Sequence, residues 1–175
     1  MGSSSQAGIV EHDSGFSSQP LVCHDLWVTR PAAPYLKKDY LTFVVEHQIA
    51  APRAQAWQTM LDLMVAGTGG YTQKGHPAPH GLGATFDFSL GGLDLHEEVI
   101  SFEPPWRRVY QLTGAPVALY EGTTVFTDHG EGCLFAWSLL IDPLPGEASE
   151  QFVATAQKFI AKFSDHIKTS TETRS

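Results

Sequence analysis

Two ionisable residues, His47 and Glu97, stand within runs of residues that alternate between apolar and polar as β-strands do. His47 shares its alternating face with Phe43, Val45 and Ile49, which predicts that its imidazole points inward. An imidazole with an unperturbed pKa of about 6.5 exchanges protons near neutral pH. His47 could therefore take a proton from a carbon next to a carbonyl, or give one to a leaving hydroxyl. The alternatives are a buried histidine bonded to a neighbour and a histidine at the end of a strand that reaches solvent.

Glu97 is the second candidate for acid or base chemistry. It shares a face with Leu93, Leu95 and Val99. A carboxylate between apolar walls is expected to have a raised pKa, which suits a general acid or base. A β-bulge before this position would turn Glu98 inward instead of Glu97.

A set of aromatic and hydroxyl side chains on predicted strands and on the last helix is expected to line a ligand cavity. The predicted ligand-binding residues are Tyr110, Tyr120, Thr124, Phe126, Trp137 and Phe159. Tyrosine hydroxyls could orient a carbonyl or a phenol on the ligand. The alternative is that these aromatic rings serve packing alone.

Other patterns that resemble functional motifs carry no site. His76 and His80 are four residues apart, but the prolines between them exclude the helix that would align them on a metal. The GTGG run at 67–70 lacks the strand-to-helix context and the lysine of a phosphate loop. Nothing near Cys133 in the sequence could activate its thiol. The sequence therefore predicts no metal site, no cofactor and no thiol nucleophile.

These candidate residues need strands and helices to position them, and the chain carries clear signals for both. Residues 40–49 form a half-buried strand, Pro52 opens a short helix that ends by Gly67, and residues 66–83 form a long Gly/Pro-rich loop. About five antiparallel strands follow, with Gly91-Gly92 and residues 129–132 as hairpin turns. A long helix then has Ser149 as its predicted N-cap and Lys168 in its last turn. Its apolar stripe is Phe152, Ala156, Phe159, Phe163 and Ile167.

This order of elements predicts one α+β domain over residues 40–168, in which a curved antiparallel sheet wraps around the long C-terminal helix. Residues 1–39 are expected to form a flexible N-terminal arm, and 169–175 a polar tail. The net charge of −8 argues against binding to nucleic acids or anionic membranes. With no recognisable signal peptide or membrane span in the sequence, a soluble cytoplasmic protein is expected.

Three stretches resemble the START-like, polyketide-cyclase-like helix-grip superfamily, which also includes the pathogenesis-related plant allergens. They are HQIAAPRAQAW, HEEVISFEPPWRRVYQL and LYEGTTVFTDHGEGCLFAW, and the resemblance spans about residues 40–167. It implies an internal apolar cavity between the sheet and the last helix, hydrophobic ligands, and no metal or organic cofactor. An acidic residue near position 97 also recurs in that superfamily without an evident catalytic duty.

Two functions follow as hypotheses. The first is an enzyme that cyclises, dehydrates or aromatises a polyketide-like intermediate, with His47 or Glu97 as acid or base. The second is a non-catalytic carrier that binds a lipid-like or aromatic metabolite. A structural module with a collapsed cavity is a third, less favoured reading. The expected partner is a small hydrophobic ligand, and a homodimer is left open.

Overall fold

The computed structural model of the protein describes residues 38–174. The predicted N-terminal arm therefore lies outside the described residues, apart from its last two positions. Cys23 is also outside them.

Six strands and two helices make up the described chain. The elements are β1 (Leu41–Ile49), α1 (Arg53–Thr68), β2 (Thr85–Leu90), β3 (Leu93–Glu103), β4 (Arg107–Thr113), β5 (Val117–His129), β6 (Gly132–Pro143) and α2 (Glu147–Thr173). No helix within residues 38–174 is both long enough and apolar enough to span a membrane.

The strands form a single antiparallel sheet in the order β1-β6-β5-β4-β3-β2. Strands β2 to β6 follow one another as a meander, while β1 pairs with β6 at the far edge, where Leu41 lies opposite Ile141. The β2–β3 hairpin turns at Gly91 and Gly92, whose φ angles of 61° and 81° suit the absence of a side chain. The predicted α+β helix-grip fold, with a curved sheet and a long C-terminal helix, is confirmed.

Alternate residues of the strands and the apolar stripes of both helices meet in one hydrophobic core on the inner face of the sheet. Helix α1 contributes Trp57 and Met60, and α2 contributes Phe152 and Ile160. Since the helices cover this face, alternating strand residues such as Leu95 and Glu97 point toward them.

Helix α2 is longer than the sequence pattern predicts, because contacts outside its apolar stripe extend it. It starts at Glu147, with Gly146 and not Ser149 at the N-cap position, and Ser149 is buried in the first turn. It continues beyond Lys168 to Thr173, through most of the predicted tail. Thr171 is buried there, and the Glu172 carboxylate accepts a hydrogen bond from the backbone N–H of Ala50 at 2.9 Å.

Candidate active and ligand-binding site

A cavity of about 540 Å³ lies between the inner face of the sheet and the two helices. Its walls are mainly apolar and come from α1, β2, β4 and α2, including Leu63, Met64, Phe88, Leu90, Leu112 and Phe163. Its largest polar groups are Glu97, Tyr110, Tyr120 and the indole of Trp137. A cavity of this size and composition matches those that hold small organic ligands.

The structure brings five of the eight sequence-predicted site residues to this cavity. Glu97, Tyr110, Tyr120, Trp137 and Phe159 all line it. Phe159 lies at the rim, where 38% of it is exposed. Glu98 is exposed on the opposite face of β3, so Glu97 is the inward carboxylate. Their contact with a ligand stays a prediction.

His47 does not line the cavity, although it lies on the inner face of β1. Helix α2 packs over β1, and the Nε2 atom of His47 lies 3.4 Å from the Asp165 carboxylate on that helix. The His47 side chain is 19% exposed. β1 is the edge strand next to β6, whereas the strand residues that line the cavity come from β2 to β6.

Thr124 and Phe126 are also absent from the cavity wall. Both are fully buried on the inner face of β5. The Phe126 ring stacks on Phe135 with centroids 4.6 Å apart and meets Trp57 edge-on at 5.9 Å. These two residues share the face of Tyr120, but they lie farther along the strand, where α1 fills the space against the sheet.

Arg108 is the site residue that the sequence analysis missed. Its guanidinium is 1% exposed and donates from Nη2 to Oε1 of Glu97, whose side chain is 8% exposed. The same guanidinium lies 4.9 Å from the centre of the Tyr110 ring and 6.0 Å from that of Phe86. Glu97 therefore has a permanent positive counter-charge behind it, and its surroundings are less apolar than the sequence predicts.

The signal for Arg108 is present in the sequence. Arg108, Tyr110 and Leu112 alternate along β4, which places the arginine on the same face as two apolar residues. A buried arginine needs a carboxylate partner. The identity of that partner depends on the register between β3 and β4, which the sequence pattern does not contain.

Gly122 creates the space that the Tyr110 side chain occupies. The two residues lie opposite each other on neighbouring strands. A Cβ atom at position 122 would overlap the Tyr110 ring. The ring therefore crosses β5, and its hydroxyl reaches the indole of Trp137, whose Nε1–H donates to it at 3.0 Å. The pairing of β5 is regular at Gly122, and the register shifts of the sheet lie elsewhere, between Val99 and Ser101 and between Val117 and Leu119.

The two cavity tyrosines are held in their neutral form. Burial raises the pKa of Tyr110 well above its ordinary value, and the nearby Tyr120 hydroxyl raises it further. Burial likewise raises the pKa of Tyr120. Both hydroxyls therefore keep their protons at neutral pH and can donate hydrogen bonds.

The Gly/Pro-rich loop before β2 packs next to this site. The Tyr71 hydroxyl hydrogen-bonds Nδ1 of His80 in the same loop, and the Tyr71 ring lies against Phe86 with centroids 4.5 Å apart. Burial raises the pKa of Tyr71 to about 12, with Arg108 opposing and Glu97 adding to the increase. Through Tyr71 and Phe86, the loop thus packs close to the Glu97–Arg108 pair.

The chain is similar to known proteins both in sequence and in fold. The family model described as polyketide cyclase/dehydrase and lipid transport matches residues 40–172. The chain belongs to this family. No curated protein matches it.

Solved structures that resemble this polyketide cyclase/dehydrase family member include two aromatase/cyclases. The Zhui aromatase/cyclase from Streptomyces sp. R1128 has a TM-score of 0.61 at 11% identity, covering 78% of this chain and 96% of that chain. The di-domain aromatase/cyclase BexL from the BE-7585A biosynthetic pathway has a TM-score of 0.56 at 18% identity, covering 76% of this chain and 49% of that chain.

A norcoclaurine synthase point mutant from Thalictrum flavum, in complex with a transition-state analogue, is a third similar structure. Its TM-score is 0.55 at 17% identity, and the match covers 80% of this chain and 99% of that chain. At such identities these likenesses establish the fold of this family member and leave its activity to be argued from the site.

Proposed function

We propose that this protein binds a small hydrophobic compound in its cavity and acts on it by acid–base chemistry, as a polyketide cyclase or dehydratase does. The observation that carries the proposal is the placement of the Glu97 carboxylate in an otherwise largely apolar cavity wall, beside the Tyr110 and Tyr120 hydroxyls. The family and the aromatase/cyclase folds support the same substrate class.

Binding rests on the shape and lining of the cavity. Leu63, Phe88, Leu112 and Phe163 offer apolar contact area, which favours a ligand with a fused-ring or folded-chain skeleton. Holding a flexible chain in one folded shape brings reacting carbons together and lowers the entropic part of the barrier.

Glu97 is the proposed base. Its carboxylate takes a proton from a carbon next to a ligand carbonyl, and the electrons of that C–H bond move to give an enolate. In a dehydration, the protonated Glu97 then returns the proton to a departing hydroxyl, which leaves as water. Arg108, through its bond to Oε1, holds the carboxylate in a fixed orientation toward the cavity. His47 stays a weaker proposal, since it does not line the cavity and lies beside Asp165 of α2.

A non-catalytic carrier is the second candidate, and one observation favours it. Arg108 already pairs with Glu97, so the carboxylate has a structural partner without any substrate. A carrier would bind the same apolar compounds and release them unchanged. That the matching family also covers lipid transport agrees with this reading.

Hydrogen exchange on a bound ketone separates the two functions. The probe is 2-acetylnaphthalene, whose methyl hydrogens are exchanged for deuterium in heavy water when a base removes them, and mass spectrometry counts the exchanged atoms. We expect the wild-type protein to accelerate this exchange and Glu97→Gln to slow it by about 10²- to 10⁴-fold. Glu98→Gln removes the neighbouring exposed carboxylate and serves as the matched control, with unchanged exchange. Binding of the probe without accelerated exchange would support the carrier, and an absence of binding would contradict both candidates.

A further inference from the structure

The two edge strands of the sheet are protected to different degrees. At one edge, β2 is six residues long, and the loop before it covers its first residue through backbone hydrogen bonds between Gln73 and Thr85. Asp87 adds a charged side chain farther along the same strand. Short length, a covering loop and charged side chains are common means by which proteins prevent an edge strand from pairing with another chain.

Strand β1, at the other edge, has fewer of these protections. It is nine residues long and pairs with β6 without a register shift, so its edge is regular. It contains no proline or lysine, and Glu46 is its only formally charged residue at neutral pH. Leu41 and Val44 are 44% and 54% exposed. A long, regular and partly apolar edge of this kind favours pairing with a further strand.

Contacts at the end of β1 show which of its backbone groups face the free edge. The Ile49 carbonyl oxygen lies next to Gly132 of β6, where it would overlap a Cβ atom. The Gln48 carbonyl instead accepts a hydrogen bond from the Lys168 ammonium on α2, at 2.6 Å. The direction of the backbone groups alternates along a strand. Odd-numbered residues of β1 therefore direct these groups to β6, and even-numbered residues direct theirs to the free edge.

Three even-numbered residues keep open backbone groups at this edge, namely Thr42, Val44 and Glu46. Helix α2 covers the edge only farther along, at Gln48 and at Ala50, whose N–H donates to Glu172 at 2.9 Å. From residues 38–174, no hydrogen bond reaches the outward groups of the three open residues. The side chains of all three are exposed as well.

We infer that this edge of β1 is a dimerisation surface, which pairs with β1 of a second copy of the chain, antiparallel and about a two-fold axis at Val44. In this register Val44 meets its own copy, and Thr42 of each chain meets Glu46 of the other. Each of these pairs exchanges two backbone hydrogen bonds, which gives about six in all. This is the register in which all three open residues pair among themselves, and it leaves the Gln48 carbonyl to Lys168.

The side chains fit the same register. Val44 places an apolar side chain against its copy on the outer face of the sheet. On the inner face, Phe43 lies opposite Val45 of the partner subunit, and both residues are only partly buried in the single chain. Glu46 faces a neutral threonine, so no like charges stand opposite each other. A two-fold axis placed on Glu46 would instead oppose two carboxylates.

This surface is separate from the cavity. No residue of β1 lines the cavity wall. The inference therefore goes beyond the proposed function and does not rest on it.

Sedimentation velocity of the full-length protein tests for the dimer, at concentrations from about 1 µM to about 500 µM. Reducing conditions prevent the cysteines from linking two chains. We expect the fraction of dimer to rise with concentration, and the fit to this rise gives the dissociation constant.

Two opposite substitutions at Thr42 test the register. Thr42→Lys opposes a lysine to Glu46 of the partner subunit, twice in each dimer because of the two-fold axis. It should lower the dissociation constant about twofold to thirtyfold, and Thr42→Glu should raise it by a similar factor. Thr113→Lys and Thr113→Glu make the same changes at an exposed threonine on the inner strand β4 and should leave the dissociation constant unchanged.

Hydrogen exchange of the backbone amides, followed by NMR, locates the surface independently. The N–H groups of Thr42, Val44 and Glu46 should exchange more slowly at high protein concentration than at low concentration. Those of Asp87 and Ser89, which face the other edge of the sheet, should exchange at the same rate at both.

Two results would overturn the inference. One is a protein that stays monomeric up to about 500 µM. The other is a dimer whose dissociation constant is the same in Thr42→Lys and Thr42→Glu, because its interface would then lie elsewhere. Neither result affects the proposed function, which is tested by binding and exchange of a ketone in the cavity.

Discussion

The buried pair of Glu97 and Arg108 leads to a quantitative prediction about stability. The substitution Arg108→Met keeps most of the side-chain volume and removes the guanidinium. It leaves Glu97 as a buried carboxylate whose hydrogen-bond donor is gone. Breaking a buried pair in this way typically costs about 3–5 kcal/mol of the free energy of unfolding. Since one side of Glu97 faces the cavity, where water can reach it, we expect the lower end, about 3 kcal/mol.

A second variant distinguishes the loss of a charge partner from a loss of packing. Adding Glu97→Gln to Arg108→Met removes the unpaired charge as well, so the double variant should be more stable than Arg108→Met alone, by about 1–3 kcal/mol. Packing lost with the guanidinium would not return in the double variant. Urea denaturation followed by circular dichroism measures each free energy of unfolding.

The adjacent arginine on the same strand provides the control. Arg107 donates to Glu103 at 2.6 Å, but the two side chains are 38% and 44% exposed. Arg107→Met should therefore cost less than about 1 kcal/mol. The reasoning is refuted if Arg108→Met costs no more than Arg107→Met, or if Glu97→Gln restores nothing in the Arg108→Met background.

Two further predictions follow from the aromatic side of the site. Gly122→Ala should displace the Tyr110 ring and lower the free energy of unfolding by about 1–3 kcal/mol. Gly67→Ala, in open space on α1, is the control and should be neutral or stabilising by up to about 1 kcal/mol. Urea denaturation measures both variants, and equal free energies of unfolding would contradict the overlap of a Cβ atom at position 122 with the Tyr110 ring. Because burial raises the pKa of Tyr71 to about 12, its contribution to stability should be intact below about pH 10 and should fall as the pH rises toward about 12. Between about pH 10 and pH 12, the free energy of unfolding from urea denaturation should fall less steeply with pH in Tyr71→Phe than in the wild type. The same pH dependence in both proteins would contradict a raised pKa of Tyr71.

The fold follows from local patterns in the sequence, because each strand and helix carries its own periodicity. The alternation around Glu97 predicts that it points inward, and the structure decides against Glu98, because the register shift of β3 lies beyond both residues, between Val99 and Ser101. The first and last residues of α2, by contrast, do not follow from its local pattern. They depend on Gly146 and on contacts of Thr171 and Glu172 with other parts of the protein, which the helical pattern of α2 does not contain.

The site itself is less predictable, because it depends on what lies opposite each residue. The alternation in β1 turns His47 inward, but only the position of β1 at the sheet edge explains why it meets Asp165 and not the cavity. In the same way, the pairing of Arg108 with Glu97 requires the register between two strands. Side-chain direction is thus encoded locally, whereas the surroundings of a side chain are set by tertiary structure.

The pairing of the first strand with the last one bears on the order in which the protein folds. Strands β2 to β6 each pair with a neighbour in sequence, so their contacts can form early with short loop closures. Leu41, by contrast, pairs with Ile141, across nearly the whole meander. During synthesis from the N-terminus, β1 must therefore wait until β6 has been made before it has a partner. We expect the closing of this pair, and the packing of α2 over it, to be the late and rate-limiting step of folding.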